Sequence, residues 1–413
     1  MTSRGGFMSL IGKLAHGLLK DARLKLIMAD GREEVVGTGG GRELAIRFTD
    51  KKVPFDLARN PRLMLGEAFM DGRIVIEDGT ILDLLEIMQK SNRWEEGGGK
   101  KRFFKKGKIT GVKRWMRRNN PVKSKDNVAH HYDLSDELYD LFLDPNRQYS
   151  CSYFTGDDKD LAASQRDKLA HIAAKLYLRE GDHVLDIGSG WGGLALYIHR
   201  VSGCRVTGIT LSEEQLKYAR AWAEREGVAD KVQFQLIDYR KLEGQFDRIV
   251  SVGMFEHVGA AHYDEFYAAV KRLMKPDGVM LLHTIGKLGG AGAPDPFTDK
   301  WIFPGYHIPS LSQMCAASEP HRLIASDVET LRLHYAHTLR SWLQNVEAKK
   351  AEIVALYDER FYRMWTFYLA GGIVMFEYGA ACNYQVQYIR DRRALPITRD
   401  YMLETEARYR AMV

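Results

Sequence analysis

Between residues 183 and 286, short apolar runs alternate with amphipathic stretches, and no other feature narrows the possible fold as far. HVLDIG (183–188), CRVTGIT (204–210), VQFQLID (232–238), FDRIVSVG (246–253) and GVMLLHTIG (278–286) are strand-like in length and in their β-branched content. Between them, WGGLALYIHRV, SEEQLKYARAWAERE and YDEFYAAVKRLM read as helices. Strands separated by helices pair in parallel, because each helix returns the chain across the face of the sheet. The expected architecture is α/β, a doubly wound Rossmann-like sheet spanning about residues 126–391, with ligands at the carboxyl ends of its strands.

The chain is 413 residues long, enough for two or three domains. Residues 1–95 read as a smaller N-terminal α+β domain. An amphipathic stretch from Leu10 to Met28 leads into strand-like ELAIRF (43–48), and RIVIEDG (73–79) precedes a helical TILDLLEIMQ (80–89). Residues 287–323 interrupt the alternation with Gly, Pro and aromatics, so a lid of helical insertions is expected there. Residues 392–413 read as a C-terminal extension. The run 361–380 is apolar and aromatic. Glu377 and several aromatic hydroxyls argue against a membrane span, which leaves a channel wall or ordinary core packing.

The net charge is +6, but its distribution is uneven. Residues 100–125 (KKRFFKKGKITGVKRWMRRNNPVKSK) hold 12 Lys/Arg and no Asp/Glu, so the rest of the chain is net −6. This segment, within a linker arm at 96–125, interleaves Phe103, Phe104, Trp115 and Met116 with its cations. Anionic lipid headgroups attract such a pattern, as do nucleic acids, and a solvated linker also fits it. The four cysteines (Cys151, Cys204, Cys315 and Cys382) form no CxxC, which fits a reducing cytosol. His130, His131 and Asp133 have no third ligand at useful spacing, so no metal is expected.

VLDIGSGWGG (184–193) runs from a strand into a glycine-rich turn that opens a helix. Gly188, Gly190 and Gly192 suit a tight turn approached closely by a ligand, although glycines can also serve packing alone. Asp186, before the first glycine, would repel a pyrophosphate and suits a cationic sulfonium amino acid. With GITLS and Asp238-Tyr239 at the next two strand ends, the pattern points to S-adenosylmethionine and a class I methyltransferase sheet. Thr210, Leu211 and Gln215 would lie near its ribose and methionine portions, and Asp238 and Tyr239 near its adenine.

HHYDLSDELYDLFLD (130–144), QYSCSYF (148–154), LDIGSGWGG, GITLSEEQ, FEHVG (255–259), HTIG (283–286), WIFPGYHIPS (301–310) and LHYAHTL (333–339) together resemble the cyclopropane-fatty-acyl-phospholipid synthase family, in consistent order over roughly residues 120–391. The resemblance implies methyl transfer from S-adenosylmethionine to a cis double bond in a phospholipid acyl chain. Deprotonation by bound bicarbonate then closes a cyclopropane ring. It implies catalytic or bicarbonate-holding roles for Cys151, Glu256, His283, Ile285 and Tyr335. Tyr149, Ser150, Gly188 and Gly190 are implied to contact the methionine portion of the cofactor.

Without the resemblance, Cys151 fits a buried small hydrophobe and His283 a satisfied core histidine. Phe303, Tyr306 and Phe367 are candidates for stabilising a carbocation through their ring faces. A bilayer substrate implies work at an anionic phospholipid surface, on the cytoplasmic face of the membrane. The resemblance further suggests a homodimer. Nucleic acid is not expected as a partner, since no NPPY- or PCQ-type base-pocket motif is present.

Overall fold

The computed structural model describes residues 12, 19–97, 134–156, 160–290 and 292–412. The basic segment 100–125, together with His130, His131 and Asp133, lies outside the described residues. Grouping by contact does not follow chain order. The described part of 1–107 joins 295–302 and 339–380 in one compact unit; the described part of 108–294 joins 303–338 and 381–413 in the other. Residues 295–302 and 339–380, assigned by chain order to the catalytic domain, thus cluster with the N-terminal residues.

The first unit carries a four-stranded sheet of β1 (Arg23–Ile27), β2 (Glu33–Val36), β3 (Glu43–Phe48) and β4 (Ile74–Ile76), in the order β2-β1-β3-β4. The amphipathic stretch 10–28 therefore contains a strand, in which Leu24 and Leu26 are buried and Arg23 is exposed. The helix Ile81–Lys90 is started by a capping box between Thr80 and Asp83. Glu359–Glu377 is a helix that buries Trp365, Leu369 and Ile373 along one face and packs on Pro61–Met70 and Ile81–Lys90. Gly66 permits that approach: a Cβ there would sit 2.4 Å from the Phe297 ring and 2.7 Å from that of Phe367. Glu377 is paired with Arg340, which also holds Glu86. Among the described residues no helix is long and apolar enough to cross a membrane.

The second unit carries a seven-stranded sheet. Its strands are β5 (His183–Ile187), β6 (Arg205–Thr210), β7 (Val232–Leu236), β8 (Phe246–Val252), β9 (Met274–Lys287), β10 (Ile324–Leu331) and β11 (Ala381–Ile389), ordered β10-β11-β9-β8-β5-β6-β7. The five from β5 to β9 pair in parallel, as the alternation predicts. Buried apolar clusters cover both faces. β10 and β11 were not anticipated; they add antiparallel to the β9 edge and make the sheet mixed. The signal for β11 was available in NYQVQY, whose period-two alternation follows directly on a helix. The last helix, Asp400–Ala411, packs on Leu161–Lys175, so most of the C-terminal extension belongs to this unit.

Candidate active site

Chain order along the sheet reverses between β5 and β8, where successive strands move to opposite sides. The carboxyl ends of such neighbours diverge and leave a crevice. A cavity with about 1360 Å³ of empty space, counting its open mouth, occupies that position. All ten residues expected around the cofactor line it: Tyr149, Ser150, Asp186, Gly188, Gly190, Thr210, Leu211, Gln215, Asp238 and Tyr239. Arg147, Trp191, Met254, His257 and Arg240 also line it and were not foreseen. From the 287–323 insertion, Pro304 and Gly305 reach the same cavity.

The turn after β5 works through its backbone. The N–H groups of Gly188 and Ser189 both donate to Ile209 O at 2.9 Å, which fastens the turn to β6. Gly188 has φ +84° and a Cβ there would lie 2.9 Å from Met254, whereas the space around Gly190, φ +54°, is open. Side chains must therefore be absent at the first position for packing and at the second for the backbone conformation. Thr210 Oγ1 lies 2.9 Å from Gln215 Oε1. Burial pushes the Asp238 carboxyl up, but Arg240 bonds outweigh it and hold the group below its ordinary value. What faces the cavity there is an ion pair rather than a lone carboxylate.

Asp186 differs. Burial pushes its carboxyl up to about 7, against the opposing pull of Lys168, and its Oδ2 is buried without a hydrogen-bond partner. An unsatisfied acceptor lining a cavity calls for a donor from a ligand. The ammonium of a sulfonium amino acid meets that need. His257, pushed down to about 4 by burial, is a neutral imidazole in the same wall. The Phe303 ring lies 5.8 Å from it and 6.3 Å from Tyr306. Phe367 packs elsewhere, 4.7 Å from Phe297 in the first unit.

Cys151, Glu256, His283, Ile285 and Tyr335 do not line that cavity. Glu256, His283 and Cys151 are buried and belong to the β8 and β9 ends or to segment 148–152. Glu256 sits in the 3₁₀ turn Phe255–His257 after β8, where its Oε1 accepts the Ile285 N–H at 2.5 Å. Its Oε2 makes no hydrogen bond of ordinary geometry, and burial raises its carboxyl above the ordinary value against the pull of the Ile285 N–H and the Thr284 hydroxyl. His283 and Ile285 are two apart on β9 and share a face. Across the ladder His283 pairs with Gln385 and Ile285 with Asn383. The amide of Gln385 lies 3.1 Å from His283 Nδ1, and that of Asn383 lies 3.3 Å from Nε2. Burial pushes this imidazole down to about 3, so it is neutral and held on both sides.

Cys151 is fully buried, its Sγ donates to Ser152 O at 3.3 Å, and burial pushes the thiol well above its ordinary value. It is not a thiolate nucleophile. The next residue, Ser152, donates its N–H to Thr338 Oγ1 at 3.0 Å. Thr338 stands three residues after Tyr335 on the helix His334–Ala348, so the two share a face. Sequence reasoning missed Asn383, Gln385, Thr338 and the buried Lys168. No cluster of three or more metal-ligating side chains occurs among the described residues.

The profile of the mycolic acid cyclopropane synthetase family matches residues 119–386, and a domain of unknown function, DUF7884, matches residues 18–94. A probable fatty acid methyltransferase of Pseudomonas putida is 36% identical over 391 residues, 92% of this chain and 96% of that protein. The cyclopropane-fatty-acyl-phospholipid synthase of Escherichia coli K12 is 46% identical over 239 residues, covering 58% of this chain and 61% of that protein. The crystal structure of the mycolic acid cyclopropane synthase CmaA1 complexed with SAH and CTAB superposes with a TM-score of 0.61 at 34% identity, over 64% of this chain and 97% of that one. A match that takes in the five parallel strands and the glycine-rich turn settles the assignment: this chain belongs to the mycolic acid cyclopropane synthetase family, and is an S-adenosylmethionine-dependent methyltransferase.

Proposed function

We propose that the chain converts the cis double bond of an unsaturated phospholipid acyl chain into a cyclopropane. The observation that carries this reading is Glu256: a buried carboxylate with one oxygen tied to Ile285 N–H and the other making no hydrogen bond of ordinary geometry, next in sequence to His257 of the cofactor cavity. S-adenosylmethionine, when bound, supplies an electrophilic methyl group. The alkene would accept that methyl group with loss of the thioether, leaving a carbocation on the acyl chain. One proton must then leave the former methyl group as the ring closes. Bicarbonate, when bound, would supply the base. The free Glu256 oxygen suits its hydroxyl, and the Tyr335 hydroxyl and Cys151 N–H are the donors that would complete its seat. His283, whose two ring nitrogens are taken by Gln385 and Asn383, would be a neutral wall of that seat rather than a donor to it.

An alkene is a weak nucleophile, so orientation carries much of the barrier reduction, up to ~7–11 kcal/mol, and a dry site protects the cation from hydration. Phe303 and Tyr306 would contribute ~0.5–2 kcal/mol each through their faces. A bilayer substrate brings the enzyme to an anionic membrane surface, with support from the charge of residues 100–125. A second copy of the chain is the proposed partner. The second reading, methylation without ring closure, is favoured by the whole-length likeness to a probable fatty acid methyltransferase. Fatty-acid mass spectrometry of an unsaturated host expressing the wild type, Glu256→Gln or Tyr335→Phe tests both. Ring product lost in the variants supports cyclopropanation. A methyl-branched or methylene product from the wild type, with no ring, overturns it.

A further inference from the structure

The helix Leu161–Lys175 carries a lysine, Lys168, that solvent does not reach. Its Nζ donates to Gln148 Oε1 and, at 3.1 Å, to Ser150 Oγ. One turn earlier, Gln165 Nε2 donates to the carbonyl oxygens of Gln148 and Ser150 at 3.2 and 3.0 Å. Two side chains of one helix thus clamp a segment whose residues 147–150 line the cofactor cavity. An apolar or amide side chain would suffice for a clamp. A buried ammonium is strongly unfavourable unless opposite charge compensates it.

Four titratable groups face Lys168 from the surrounding elements: Asp144 from the loop before Gln148, Cys151, Asp186 at the end of β5, and His283 on β9. Cys151 and His283 are neutral. Asp144, the largest opposing charge on Lys168, accepts the N–H groups of Asn146 and Gln148, both at 2.9 Å, and does not line the cavity. Asp186 lines the cavity with an oxygen to spare. We propose that Lys168 is a positioning residue for the cofactor: its ammonium holds Gln148 and Ser150 in the cavity wall and is the countercharge that lets Asp186 offer an ionised carboxylate to the ammonium group of S-adenosylmethionine. Burial drives the two groups toward neutrality, Lys168 down to about 8 and Asp186 up to about 7, and each opposes that drift in the other. The inference rests on the cofactor cavity and not on the identity of the lipid product.

Calorimetric titration of the full chain with S-adenosylhomocysteine from pH 6 to 9 tests it without turnover. Wild-type affinity is expected to rise as pH passes 7, and this rise should vanish in Asp186→Asn. Lys168→Met should bind at least tenfold more weakly at pH 7.5, with its rise displaced above pH 8. In the Asp186→Asn background the same change should cost threefold or less. An equal cost in both backgrounds, or a Lys168→Met pH profile that matches the wild type, overturns the charge link. Should Lys168→Met fail to fold, Lys168→Gln, which keeps a donor for Gln148 and Ser150 without the charge, decides: a wild-type pH profile overturns the proposal, and a rise displaced above pH 8 upholds it.

Discussion

The cofactor cavity and the cluster around Glu256 and His283 lie in the same unit, yet they are assembled in opposite ways. The cavity is made where strands end, largely from short contiguous motifs. The cluster is made where strands pair, from residues 29 to 102 positions apart, with Glu256 held by a backbone N–H and His283 by side-chain amides. A motif-built site tolerates changes elsewhere but not within its turn. A pairing-built site depends on residues that touch no ligand. Binding and chemistry should therefore separate when each region is altered.

The largest separation is expected from Glu256→Gln. Ring formation should fall by about 100-fold or more, the scale on which acid–base and base-holding groups act, while the affinity for S-adenosylhomocysteine stays within about twofold, both scales read from general mutational behaviour. Equal loss of affinity would break the contrast. Gly188→Ala should do the reverse. Its φ of +84° and the 2.9 Å approach to Met254 penalise a Cβ, and a left-handed residue costs about 1–2 kcal/mol, or roughly tenfold in affinity by titration.

Gln385→Leu removes the amide from His283 Nδ1. Loss of a positioning bond should lower kcat by about tenfold with the KM for S-adenosylmethionine unchanged, on the scale of about 1 kcal/mol per bond. A rise in KM alone would place Gln385 in binding. The smallest effect is on stability. Asp186 ionises at about 7 in the fold against an ordinary value of 3.8, so the folded state keeps the extra proton between those values. Its contribution to stability is complete below that window and is lost as pH rises through it. Asp186→Asn should therefore raise the Tm of the unliganded protein at pH 8 by a few degrees in scanning calorimetry while weakening cofactor binding. A lower Tm would show that the ionised carboxylate stabilises the fold.

The cavity was legible because a glycine-rich turn, an acidic residue before it and polar strand ends each carry their meaning locally. The five residues implied to be catalytic were named only through the resemblance, and no local pattern pairs Glu256 with Ile285 or His283 with Gln385. Lys168 was not legible at all. In AASQRDKLAHIAAK a lysine reads as solvated, and only the packing of segment 148–150 over the helix buries it. The stretch 361–380 read as apolar helix, but the residues it packs on are near 66 and 84 in the chain.

The sequence by itself determined the parallel strands β5 to β9 and the glycine-rich turn, and eight of the ten residues expected at the cavity, all but Tyr149 and Ser150, could be read locally, because strand period, helix period and glycine conformation are properties of neighbouring residues. Tertiary structure alone decided that β11 lies antiparallel beside β9, which amides meet His283, and which lysine is stripped of water. Those outcomes depend on register and burial between segments far apart, and register is set by the energy of the whole assembled sheet rather than by any one strand.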